Sequence, residues 1–151
     1  MAVFSLTGND TLILSDRVMK DFADNSTVEL SFENDLVGIS TGKNGNTVYA
    51  DNRQGGNGTI TLRLIRGSKD DRWLNGMLVQ QDRDLPTFKV FNGSFTKRIG
   101  DGLGNVRFDN YVMQGGVFRK GVDAQENLNG ETESAVSIYT LFFAKITRAI
   151  G

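Results

Sequence analysis

The chain has 151 residues with 17 Lys and Arg against 18 Asp and Glu, a formal net charge of −1. That length suits a single domain spanning residues 1–151, and the balance argues against a protein that grips nucleic acid by displacing counterions. There is no Cys and no His, which removes thiolate nucleophiles and Cys-based metal sites along with the commonest general base and transition-metal ligand; neither an enzyme nor a cofactor is expected.

In chain order, Met1–Leu14 lacks a cationic leader region, and Thr7-Gly8-Asn9-Asp10 interrupts its apolar residues, so no targeting signal is read. No apolar run reaches the roughly 20 residues that span a bilayer, so no membrane segment is expected. The 18 Gly and single Pro describe a β-rich chain with many turns.

Thr27–Glu33 alternates with period two: Val28, Leu30 and Phe32 point one way, and Thr27, Glu29, Ser31 and Glu33 the other. The stretch 41–58 is rich in Gly and Asn, residues that tolerate positive φ. It reads as a long loop, and loops of that length in small domains are commonly functional. Thr59–Leu64 alternates again, with Ile60, Leu62 and Leu64 opposite Thr59, Thr61 and Arg63. One dry and one wet face per strand is the pattern of an antiparallel sheet covering a core on one side.

Ser68–Gln81 is the one helix predicted. Ser68 caps it, Asp70 and Asp71 suit its positive dipole end, and Trp73, Leu74, Met77 and Leu78 form one packing stripe. Gly76 within it suggests close packing against a neighbour. Strands follow at Thr87–Arg98, Val106–Phe118 and Ser134–Thr147, the last chosen over helix for its β-branched and aromatic residues. Asp101-Gly102-Leu103-Gly104-Asn105 is a turn with too few oxygens to hold calcium by itself. Gly38–Asn44 lacks the spacing of a phosphate loop. The fold class is mainly β: an antiparallel β-sandwich or barrel with one flanking helix.

From Glu33 to Gln81 the order is strand, Thr-Gly-Lys-Asn-Gly-Asn loop, Asp51-Asn52-Arg53, a Gly-rich turn, Gly58-Thr59-Ile60-Thr61-Leu62-Arg63-Leu64, then a Ser-capped helix. This third of the chain resembles the small tail tube proteins of phages with contractile tails, which are related in architecture to type VI secretion and pyocin tubes. The chain departs from them in having Gly42-Lys43-Asn44-Gly45 where an acidic turn is common, and in lacking Pro at the helix start.

The resemblance implies hexameric rings that stack into a hollow tail tube, with strands of all subunits joined into one intersubunit barrel through which double-stranded DNA passes. It also implies a place in the virion tail after synthesis in the bacterial host cytoplasm. The implied partners are copies of the chain itself, a tail sheath, a tape measure protein, a baseplate and a tail terminator. On this reading Thr27, Glu29, Ser31, Glu33, Thr59, Thr61 and Arg63 face the lumen, and the two Glu make the bore acidic. Lys43, Asn44, Asn46, Tyr49, Asp51, Asn52, Arg53 and Gln54 form a ring-stacking loop. The rival reading is a single-stranded nucleic-acid-binding β-barrel using Phe88, Phe91, Phe95, Lys97, Arg98, Arg107, Tyr111, Phe118, Arg119 and Lys120, where aromatics interleave with bases.

Overall fold

Two-residue alternation builds the structure. In the computed structural model, which describes residues 2–6, 10–23, 28–125 and 136–151, Val28–Phe32 pairs with Gly58–Ile65 so that Leu30 faces Ile60 and Val28 faces Leu62. The same strand pairs on its other edge with Val136–Ile150, setting Ile60 against Leu141 and Leu62 against Tyr139. Ile60, Leu62, Leu64, Tyr139, Leu141 and Phe143 are thereby buried on one side of the sheet. Each such side chain contributes about 1.5–3 kcal/mol.

The strands in chain order are β1 (Ser5–Leu6), β2 (Thr11–Leu14), β3 (Arg17–Met19), β4 (Val28–Phe32), β5 (Val37–Thr41), β6 (Thr47–Asp51) and β7 (Gly58–Ile65). The helix α1 (Lys69–Arg83) and a 3-10 turn (Leu85–Thr87) follow, then β8 (Phe91–Gly100), β9 (Val106–Phe118), β10 (Asp123–Gln125) and β11 (Val136–Ile150). The main sheet runs β3-β2-β8-β9-β11-β7-β4, with β1 added along β8 and β10 along β11, while β5 and β6 form a separate pair. Every pairing is antiparallel. The protein is mainly β, an antiparallel sandwich flanked by one α-helix. Among the described residues, no helix is long and apolar enough to cross a membrane.

The two ends of the sheet meet just after β3. Phe22 bridges Leu64, the Ala23 amide donates to the Arg63 carbonyl at 2.9 Å, and the Ile65 amide donates to the Asp21 carbonyl at 2.9 Å. Asp70, in the first turn of α1, holds this corner. Its carboxylate accepts from the Lys20 and Asp21 amides at 2.6 and 2.9 Å and pairs with the Arg17 guanidinium at 2.9 Å. Burial alone would raise the Asp70 pKa, but these donors together hold it below the ordinary carboxylate value.

The helix starts where its cap predicts. Ser68 Oγ accepts from the Asp71 amide at 3.2 Å, while Asp71 accepts from the Gly67 amide at 2.8 Å. Asp71 also receives the hydroxyls of Ser137 and Tyr139, tying the helix to β11. Burial first, then the bond to the Asp71 carboxylate, push the Tyr139 hydroxyl pKa well up. At the other end the Gln81 amide bonds both backbone groups of Phe118, at 2.7 and 2.8 Å, in the manner of a strand partner. The helix runs to Arg83, two residues past the predicted Gln81. Leu74 is buried, and Trp73, Met77 and Leu78 pack against the core. Gly76 is exposed with open space beside it, so close packing within the subunit does not account for it.

Candidate assembly surfaces

Three surfaces lie outside the core: an arm, a hydroxyl-rich sheet face and a blade of long strands. The arm corrects the reading of 41–58 as a loop. Residues Val37–Thr41 and Thr47–Asp51 form a hairpin, closed by the Gly42 amide on the Asn46 carbonyl at 2.7 Å and by Gly45 at φ 84°. Cross-strand register puts Val37, Ile39, Thr41, Thr47, Tyr49 and Asp51 on one face and Gly38, Ser40, Val48 and Ala50 on the other. Every residue of both strands is exposed. A lone two-stranded hairpin is marginally stable in water, and this one pairs with no other strand among the described residues.

The predicted contact residues divide by position. Lys43, Asn44 and Asn46 form the tip, and Tyr49 and Asp51 lie on the second strand of the arm, β6. Asn52, Arg53 and Gln54 belong to its root. There Asn52 Nδ2 donates to the Asp35 carbonyl at 2.7 Å and Asn52 Oδ1 accepts from the Gln54 amide at 3.0 Å. The Asn34 side chain donates to the Gln54 carbonyl and to Asn57. Behind them the Ile146 amide donates to the Gly56 carbonyl at 2.7 Å. A Cβ on Gly58 would lie 2.6 Å from the Ser31 carbonyl oxygen. The glycines seat the root against the sheet; they are not slack.

The predicted lumen set comes together on the far side of the sheet from α1, apart from Thr27, which lies outside the described residues. Glu29 pairs across from Thr61 and Ser31 from Thr59, with Arg63 beside Ile138 on β11. Phe32, expected on the dry face, is half exposed at the sheet edge. Glu33 is neutralised by Arg119, which the sequence reading had placed only in the rival barrel. That arginine crosses β11 to bond the Thr59 hydroxyl at 2.9 Å and to pair with Glu33. By register Arg98 and Lys145 share this face. Arg63, Arg98, Arg119 and Lys145 therefore share this face with Glu29, Glu33 and, across from Ile138, Asp123, so the described residues mix both signs and do not make it acidic.

The blade is the far half of β8, β9 and β11, beyond the reach of α1. Its residues Val106–Phe108 and Thr147–Ile150 are all exposed. Arg148 holds Asp109 through two bonds at 2.9 and 2.8 Å and lies over Tyr111; that arginine bond keeps the Asp109 pKa below its ordinary value. At the β8–β9 turn, Asp101 accepts from the Leu103 amide at 2.7 Å and from Asn105, and these bonds lower its pKa. Its oxygens are engaged by N–H donors, and no metal-ligand cluster occurs among the described residues. Between the N-terminal residues, that turn and the chain's C-terminus lies a groove of about 450 Å³.

The rival barrel loses its stacking platform. Phe91 and Phe118 are buried in the core, and Phe88, Phe95 and Tyr111 pack against it. Lys97, Arg119 and Lys120 are paired with Asp10, Glu33 and Asp123.

No family model matches the chain, and no curated protein does. Among solved structures, it is similar to the tube-terminating cap of the anti-feeding prophage, with TM-score 0.63 and 15% identity over 96% of this chain and 90% of that one. It is also similar to the sheath/tube terminator of an extracellular contractile injection system, PVC, in the extended state (TM-score 0.59, 13% identity, 94% of each chain). A chain of the PVC sheath–tube complex in the extended state matches with TM-score 0.59 and 13% identity over 93% of this chain and 87% of that one. The chain has the fold of these structural parts of contractile injection systems. At such identities the likeness is one of fold.

Proposed function

We propose that the chain is a structural, non-enzymatic subunit of a contractile tail-like particle, forming hexameric rings that stack into a hollow tube. The observation that carries this reading is the arm: a hairpin with apolar side chains on both strands, rooted firmly and covered by none of the described residues. A fold shared over nearly the whole chain with components of contractile injection systems supports it. In the tube, the outer edge of β4 finds a strand partner in the next subunit, which removes an exposed sheet edge. Because donor and acceptor surfaces differ, each contact is head-to-tail, and such contacts give a ring where the rotation between neighbours closes.

The face carrying Glu29, Ser31, Thr59, Thr61 and Arg63 lines the bore in this arrangement. Its charges are offset within the wall, and its hydroxyls present a neutral, wet surface to passing double-stranded DNA. The arm reaches the adjacent ring. A sheath, a tape measure protein, a baseplate and a terminator complete the particle, which places the chain in a virion tail.

A second reading, a ring that ends the tube, is favoured by the two terminators among the similar structures. Negative-stain imaging of the purified protein after incubation at high concentration separates them. Long hollow rods are expected for a tube subunit. Single rings that never stack would move the assignment to a terminator, and monomers at every concentration would refute both.

A further inference from the structure

We infer that the arm of one copy seats in the groove at the distal end of the blade of another copy. This rests on the reading of the chain as a self-assembling subunit, and it names the surface that receives the arm. The groove is lined by Val3, Phe4, Ile99, Leu103, Arg107 and Ile150. Its apolar side chains are strongly exposed, Phe4 at 75% and Leu103 at 84%. The facing surface of the arm carries Val37, Ile39 and Tyr49 in register with Asp51, with Ile39 at 69% and Tyr49 at 71% exposed. The subunit thus presents two apolar surfaces, one protruding and one recessed, and does not use either to cover the other.

Charge selects the occupant. Arg107 sits in the groove and Asp51 on the apolar face of the arm, and neither has an ion pair among the described residues. Asp101, the other charged residue of the groove, is already engaged by its own turn. A second copy therefore supplies a free anion for Arg107, together with an apolar ridge to fill the groove. One arm face is small beside the roughly 800 Å² per partner of a standard stable interface, so each contact is weak and gains strength when several form in one closed particle. Assembly should accordingly be nucleated and steep in concentration.

The absence of Cys from the chain makes the test clean. A Tyr49→Cys, Ile150→Cys variant carries one thiol on the arm and one at the groove, both at exposed positions whose replacement leaves the fold in place, as circular dichroism would verify. Mild oxidation of the concentrated protein should give a ladder of trimers and higher species. Either single-Cys variant can reach no further than dimers. Adding Arg107→Glu should reduce the ladder at least tenfold, and adding Asp51→Arg to that should restore it. A ladder that stops at dimers, or one indifferent to Arg107→Glu, overturns the inference. Wild-type rods without a ladder would leave the tube standing and remove this contact; a ladder without rods would keep the contact and remove the tube.

Discussion

One strand passes through two different environments. Along β11, Val136, Ser137, Tyr139, Leu141, Phe143 and Ile146 are buried by α1, β7 and β9, whereas Thr147–Ile150 are exposed to the last residue. The arm resembles the second half: Ile39, Val48 and Tyr49 are as apolar as the residues of the body, yet lie in water. Sequence pattern is therefore the same in both regions, and burial is not. Contiguous apolar surface left uncovered is characteristic of interaction sites, and the proposed contact of the arm rests on it.

The comparison breaks if the two regions respond alike to truncation. Phe143→Ala, within the body, should cost about 3–5 kcal/mol in chemical denaturation of the dilute protein, and Ile39→Ser on the arm should stay within about 0.5 kcal/mol while removing assembly. A comparable loss at Ile39 would mean that the arm belongs to the folding unit. Next in size is Asp70→Ala, which leaves the Lys20 and Asp21 amides and Arg17 without their acceptor and should cost about 2 kcal/mol.

Asp70 also sets an acid dependence in the body. Its folded pKa is depressed, so the folded chain binds fewer protons than the unfolded one near the ordinary carboxylate pKa. The stabilisation is complete above the unfolded value and is lost as the pH falls through the folded one. Urea midpoints should fall from pH 5 towards pH 3 in the wild type and fall less in Asp70→Asn.

Smaller still, Arg119→Ala breaks a half-exposed pair and should cost no more than about 1 kcal/mol, a loss that salt in the wild type should partly imitate. Gly76→Ala should stabilise the monomer by up to about 1 kcal/mol, because none of the described residues stands where its methyl would go. If that variant fails to assemble, the glycine is reserved for a neighbouring subunit.

Legibility followed the same division. The alternating strands Val28–Phe32 and Gly58–Ile65, the bounds of Val106–Phe118 and the Ser68 cap were readable because local chemistry decides them. The β2–β3 hairpin was not: its turn uses Ser15 and Asp16, both at positive φ, where Asn-Gly would have been the signal. Val37–Thr41 was harder to read because Gly38 and Ser40 put little on its second face, and the bonds by which Asn52 ties the arm's root leave no mark in the sequence. The partner of Glu33, Arg119, arrives only because β9 ends beside β11, which no local pattern announces. The arm's root also changes how to remove it: replacing 37–51 by a short turn keeps the Asn52–Gly58 anchor, whereas cutting through 57 would tear the sheet edge.

The central claim is that the arm is exposed in the lone subunit and buried in the working particle. Hydrogen exchange of the arm amides, 37–51, in dilute and in assembled protein tests it most directly. Rapid exchange in the monomer and at least tenfold slower exchange in the assembly is the expected result. Assembled particles whose arm exchanges as fast as in the monomer would contradict it.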